Sequence, residues 1–242
     1  MIDPTAMLVL GVTGLLSALL GSVAGSGGMA ILLPVAVIYF GIHQAIPILT
    51  IANLSANLSR VYFYRRELEL RVVGWLTLGS LPLVVAGTWL FTIAAPELLT
   101  RLLGGMLLTL MVWRRLRPTA PRLRRAVLFL PLGMAWGFLA GFMSGVGLLI
   151  APFYLAYGLV KGAYIGTDAL GTVFLQSTKL IVFGSANFLQ GAVLWYGLAL
   201  IPFMFAGAWM GKQLLERVPE KIFALLIEIT MLVAGLNFLL RG

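Results

Sequence analysis

Gly21-Ser22-Val23-Ala24-Gly25-Ser26-Gly27-Gly28 interrupts a hydrophobic stretch that runs from about Met7 to Phe40 without one charged side chain. Glycine reaches backbone conformations that other residues avoid, so a cluster of it inside an apolar run marks a place where a helix stops and restarts. Amide groups freed in hydrocarbon cost several kcal/mol each, so such a break survives only where protein, a wet cavity or a ligand covers it. The piece after the break, Met29 to Phe40, spans about 18 Å as a helix against a hydrocarbon core of about 30 Å, and cannot cross alone. The alternative is that these glycines only let helices pack closely, as small residues commonly do in membranes.

The surrounding chain is of the same kind. Its 242 residues are 61% hydrophobic and 10% charged, with a mean hydropathy of +1.03, which leaves too little polar surface to cover a globule in water. The chain therefore reads as an all-α polytopic membrane protein whose first partner is the lipid bilayer. The net charge of +9 does not imply a nucleic-acid partner, because the basic residues sit in short connections between apolar spans. One connection alone carries Arg114, Arg115, Arg117, Arg122, Arg124 and Arg125, which is a topology signal. With no cysteine and a single histidine, His43, neither a disulfide nor a metal or other cofactor is expected. The first twenty residues lack a basic region and read as the start of the first span, not as a cleaved signal peptide.

Ten apolar segments follow from the pattern: A, about 6–24; B, 29–41; C, 44–64; D, 72–94; E, 97–114; F, 125–143; G, 147–158; H, 162–183; I, 190–211; and J, 219–240. Segments B and G are short in the same way. At an offset near 120 residues the halves match: Thr13, Ser17, Gly21 and Gly25 with Gly133, Gly137, Gly141 and Gly145, and Pro34 with Pro152. Gly41 matches Gly158, and Leu81-Pro82 with Ala86-Gly87-Thr88-Trp89 matches Ile201-Pro202 with Ala206-Gly207-Ala208-Trp209. So many pairs in one order indicate an internal duplication. It divides the chain into a first repeat at 1–114, a basic cytoplasmic linker at 115–125 and a second repeat at 126–242.

Charges choose between a parallel and an inverted repeat. Arg65, Arg66 and Arg71 place the C/D connection in the cytoplasm, and the arginine-rich linker places E/F there too. In the second half the H/I connection, Gly184 to Gln190, is uncharged, whereas I/J carries Lys212, Arg217 and Lys221 and G/H carries Lys161. The pattern is the first half's turned over. The expectation is two inverted repeats of about five helical segments each, three full spans plus a broken or short helix pair per half, with the amino terminus outside the cytoplasm. A parallel repeat of four full spans per half would instead put Lys212, Arg217 and Lys221 outside.

Inverted repeats with interrupted helices point to a secondary transporter whose site lies near the midplane. The breaks at Gly25-Ser26-Gly27-Gly28 and Ser144-Gly145-Val146-Gly147 would bring the amino termini of B and G to one depth from opposite sides. Free N–H donors and partial positive charge there suit a small oxyanion, with the Ser26 and Ser144 hydroxyls as further donors. On C, Thr50, Asn53 and Asn57 share one helical face at mid-depth; on H, Asp168, Thr172, Gln176 and Lys179 share another. Interhelical hydrogen bonding would produce the same stripes without a ligand. Ionisable groups in the span region are functional hypotheses by default: Asp168, Lys179 and Glu228, with Arg60 and Arg101 nearer the ends and expected to snorkel to the surfaces. A downhill anion exporter needs no second ion, whereas uphill movement needs a coupled proton or sodium ion, for which Asp168 and Glu228 are the carboxylates at depth.

The sequence resembles the sulfite exporter TauE/SafE family of membrane transporters, whose repeated hallmark is roughly G-x-G-G-G-x-x-x-x-P followed by a glycine and an A-x-G-T-S stretch. Gly25, Gly27, Gly28 and Pro34 match the first copy, with Met29 in place of its last glycine, and Gly41 and Ala45 follow. Gly145, Gly147 and Pro152 match the second, then Gly158, Ala163 and Gly166-Thr167, which brings Thr167 into the candidate site. Met143 and Val146 replace glycines, and Asp168 stands where the family pattern has serine. The resemblance covers essentially the whole chain and implies transport of sulfite, organosulfonates or related small anions across the cell inner membrane by a protein of seven or eight spans.

Two other classes remain open at this point. An intramembrane enzyme would use Ser144 beside Gly145, but its partner histidine is missing, since His43 lies at a segment junction in the other half. A structural membrane subunit would account for the hydrophobicity but not for two matched breaks lined with polar stripes. Oligomeric state is not legible.

Overall fold

The computed structural model describes residues 4–24, 28–95, 125–142 and 146–217. Segments E and J, most of the basic linker, Gly25, Ser26, Gly27, Ser144, Gly145, Arg101 and Glu228 lie outside the described residues. Every described element is helical: α1 (Pro4–Ala24), α2 (Met29–Tyr64), α3 (Leu70–Ile93), α4 (Phe129–Phe142), α5 (Ala151–Tyr157), α6 (Lys161–Ser185), α7 (Ala192–Ala199) and α8 (Ile201–Arg217). Among the described residues, four stretches are long and apolar enough to cross a membrane: α1, α2, α3, and α7 with α8 taken together. The chain is a multi-pass membrane protein. Helix α6 has the length but not the apolarity, because its polar stripe lowers its hydropathy.

Segments B and C run together as α2, broken at Gly41, where φ 70 and ψ 165 fall in a region essentially confined to glycine. Gly158, its sequence match, closes α5 in the left-handed conformation at φ 102. Segment I continues to Arg217, so Lys212 and Arg217 belong to α8 and not to a loop, with Lys212 3.7 Å from Glu216 one turn on. The division between α7 and α8 falls just before Pro202, which has no N–H to donate to the preceding turn.

The dominant packing pairs are α3 with α4, α1 with α8, and α2 with α6. Small residues make the first two close. A Cβ at Gly79, Gly87, Gly133 or Gly141 would meet backbone carbonyls of the facing helix in the α3–α4 pair, and one at Gly207 or Gly211 would meet α1 at Leu15 or Leu19. Backbones in that contact exclude any larger side chain. Contacts advance together along each pair: Gly79 faces Leu130 and Gly87 faces Phe138; Gly11 faces Phe203 and Gly211 faces Leu19. Within each pair, then, the two helices run parallel.

Ring and hydrogen-bond contacts sort the connections onto two ends of the bundle. At one end Phe63 lies 5.8 Å from Phe205, the Glu69 amide donates to Thr167 Oγ1 at 3.1 Å, Tyr154 lies 5.7 Å from Tyr164, and Phe129 lies 5.7 Å from Tyr157. This end gathers Arg65, Arg66, Arg71, Arg125, Lys161, Lys212 and Arg217. At the other end Phe40 meets Tyr196 at 4.6 Å, His43 meets Phe188 at 6.1 Å, and the His43 ring hydrogen-bonds with the Ala94 carbonyl at 3.2 Å. The described connections there, 41–43, 94–95 and 186–191, contain no lysine or arginine. Exposed tryptophans stand near both ends, Trp75 and Trp89 on α3 and Trp195 and Trp209 on α7 and α8, as in the aromatic belts of membrane proteins.

Candidate functional site

Helices α2 and α6 pack against each other, and both stripes read from the sequence fall largely in buried positions. Thr50, Asn57, Thr167, Asp168, Thr172, Gln176 and Lys179 are buried, and Asn53 is half-buried. Polar side chains at this density inside an apolar bundle demand hydrogen-bond partners, and the partners divide the stripes into two kinds.

Several groups are committed within the fold. Thr50 Oγ1 donates to the Ile46 carbonyl of its own helix at 2.8 Å, and Thr167 Oγ1 accepts from the Glu69 amide at the start of α3. Asn57 Nδ2 donates to the Asn53 carbonyl at 2.8 Å and to Asn53 Oδ1 at 2.9 Å, which ties these two amides into a ladder along α2. Others remain open: Thr172 Oγ1 and Gln176 Oε1 are buried without a hydrogen-bond partner among the described residues. They are the polar atoms of the α6 stripe best placed to receive a guest.

Lys179 is 1% exposed, and its ammonium donates to the Ala140 carbonyl in the last turn of α4 at 2.9 Å. Asp168, also 1% exposed, sits one residue beyond Thr167 near the basic end, close enough for its charge to act on Arg60 and on Tyr154. Its position near the helix end predicts that Arg60 snorkels to the surface, and the structure overturns that. Arg60 is 4% exposed and turns into α1: Nε donates to Ser22 Oγ at 3.1 Å, Nη1 to Asn57 Oδ1 at 3.3 Å and Nη2 to the Ala18 carbonyl at 3.4 Å. A sequence signal was available, because Arg60 continues the Asn53 and Asn57 face at i+7 and i+3.

The two interruptions do not share one depth. Ala18 and Ser22, which precede the first, are level with Arg60 near the basic end; Ala140, which precedes the second, is level with Lys179. On α6, Lys179 lies eleven residues beyond Asp168, about 16 Å along the helix axis. Each first helix of a broken pair therefore crosses most of the bundle before the chain turns back. Of the break residues that are described, Gly28 packs so tightly on α1 that a Cβ would strike the Ser17 carbonyl. Gly147 belongs to a 3-10 turn at Val146–Leu149 that leads into α5.

Polar stripes on α2 and α6 and two buried cations thus lie together in a bundle of apolar helices. No curated protein and no solved structure matches the chain. The family model described as Sulfite exporter TauE/SafE matches residues 10–238, which is nearly the whole sequence. The chain belongs to the sulfite exporter TauE/SafE family.

Proposed function

We propose that this membrane transporter moves a small anion, sulfite or a related organosulfur anion, by alternating access between two inverted repeats, with its site between α2 and α6. The observation that carries the reading is the pair of polar stripes on α2 and α6, which contain two buried cations and, in Thr172, a buried hydroxyl with no described partner. An oxyanion that enters there meets cationic donors and hydroxyl or amide groups at a depth where hydrocarbon would otherwise reject it. Thr172, Gln176 and Lys179 supply the α6 contacts, and Asn53 and Asn57 supply the α2 contacts. The sequence assigns Gly25, Ser26, Gly27 and Gly28 of the first break and Ser144, Gly145 and Gly147 of the second to the same substrate path, with Thr50 and Thr167 as further members.

The inverted repeat is supported by chain direction. Helix α1 runs toward the basic end and its sequence match α4 runs away from it; α3 runs away and α8 toward; the second half of α2 runs toward and α6 away. With the basic end in the cytoplasm, as positive-inside sorting requires, the amino terminus is extracytoplasmic and the protein lies in the cell inner membrane. Asp168 is the carboxylate assigned to a coupled proton, with Glu228 as the other candidate.

Proteoliposome flux tests the reading. Sulfite, thiosulfate and small sulfonates should give saturable flux above that of empty vesicles, and Asp168→Asn should abolish its dependence on a proton gradient. Equal flux with and without protein would overturn the transporter reading. Gradient dependence that survives Asp168→Asn but fails in Glu228→Gln would move the coupling role to Glu228, its survival in both would remove the role from both carboxylates, and parent flux indifferent to the gradient would make the protein a uniporter.

A further inference from the structure

An arginine one turn from the end of a span reaches water easily by snorkelling, and a charge left in hydrocarbon costs about 3 kcal/mol even on the mildest insertion scales. Arg60 stands at such a position and turns inward instead. Its place in the first half matches that of Lys179 in the second, at the same offset near 120 residues that pairs the other repeat positions. The match extends to what each cation does. Arg60 donates to the Ala18 carbonyl and Ser22 hydroxyl near the end of α1, and Lys179 donates to the Ala140 carbonyl at the end of α4. Each cation thus holds the last turns of the helix that precedes a break, one near the basic end and one about 16 Å further along α6.

The hydrogen bonds of the Arg60 fork are loose. Nη1 and Nη2 reach their acceptors at 3.3 and 3.4 Å, beyond the usual N–H···O range, and both acceptors are neutral. A guanidinium presents its two Nη groups in a plane that matches two oxygens of one oxyanion, and such charge-assisted pairs are shorter and stronger than bonds to neutral carbonyls. Between the two cations, on the same α6 face as Lys179, lie Thr172 Oγ1 and Gln176 Oε1, both without a described partner.

We propose that Arg60 is a second anion-binding cation, the counterpart of Lys179, so that the path has one cationic station toward each face of the membrane. At each station the substrate oxyanion replaces a helix-end carbonyl as the partner of the cation. The proposal rests on the transporter reading above and adds to it a residue and a two-station order: Arg60 serves the basic face and Lys179 the opposite one.

The test is the KM for sulfite measured separately from each face, in proteoliposomes in which one orientation is silenced by a membrane-impermeant thiol reagent at an engineered surface cysteine. Arg60→Gln should raise the KM at the basic face by roughly ten-fold or more, the scale of one charge-assisted hydrogen bond, and leave the opposite face within about two-fold. Lys179→Gln should do the reverse. Arg60→Lys keeps the charge and loses the fork, so its KM at the basic face should fall between those of the parent and Arg60→Gln; it also serves as the readout if Arg60→Gln fails to insert. Shifts equal at both faces, or an unchanged basic-face KM in Arg60→Lys, would overturn this assignment while leaving the transporter reading intact. A parent without saturable sulfite flux would overturn both.

Discussion

The Arg60 and Lys179 regions occupy matching places in the two halves yet are held differently. Arg60 touches α1 and its own helix through three hydrogen bonds, and the charge of Asp168 acts on it. Among the described residues Lys179 has one hydrogen bond, to Ala140, and its ammonium lies 5.9 Å from the centre of the Phe183 ring. A guanidinium with several acceptors can exchange them one at a time and keep the rest, whereas an ammonium on one carbonyl changes partner by rotating a flexible stem. The contrast extends to the matched glycines beneath them. A Cβ at Gly21 would meet the end of the Arg60 side chain, while a Cβ at Gly141 would meet the Val84 carbonyl of α3. The two matched positions carry the same small residue, once to seat a cation and once to seat a backbone.

The largest expected effect breaks the comparison on the rigid side. Gly141→Leu forces two backbones apart in the α3–α4 pair, and overpacking of that kind costs about 1–3 kcal/mol or more. Its melting temperature in detergent should fall by several degrees and the folded yield should drop with it. Gly21→Ala should behave otherwise: the guanidinium end can move, so the melt should stay close to the parent while sulfite flux declines roughly ten-fold through the displaced Arg60. If the two variants lose stability equally, the distinction between a cation seat and a backbone seat fails.

Smaller changes sharpen it along the stripes. Thr172 Oγ1 has no described partner, so Thr172→Val should leave stability unchanged and raise the KM for sulfite about five-fold, the scale of one neutral hydrogen bond. Thr50 already bonds its own helix at Ile46, and Thr50→Val should change flux by less than about two-fold. A Thr50→Val effect as large as that of Thr172→Val would show that the α2 hydroxyl also reaches the substrate.

Much of the fold was legible because hydropathy and charge act locally. The bounds of α1, α3, α4 and α6 fall within a few residues of the apolar segments read from the sequence, and the turn at Gly41 was marked by a glycine at the end of a short piece. The candidate site was legible in part. Asp168, Thr172, Gln176 and Lys179 share a buried face as their spacing requires, and Thr167 lies beside them but is taken by the Glu69 amide. Arg60 was misplaced because proximity to a helix end favours snorkelling unless a neighbouring helix offers closer acceptors, and α1 offers two.

By itself the sequence determined the membrane class and the approximate bounds of α1, α3, α4 and α6, since each follows from composition within a window of a few turns. Only the tertiary structure decided which helices pair and at what depth each break lies. Those depend on where glycines let backbones of distant segments touch, as α1 does with α8 and α3 with α4, and on which carbonyls that contact brings within reach of a buried cation.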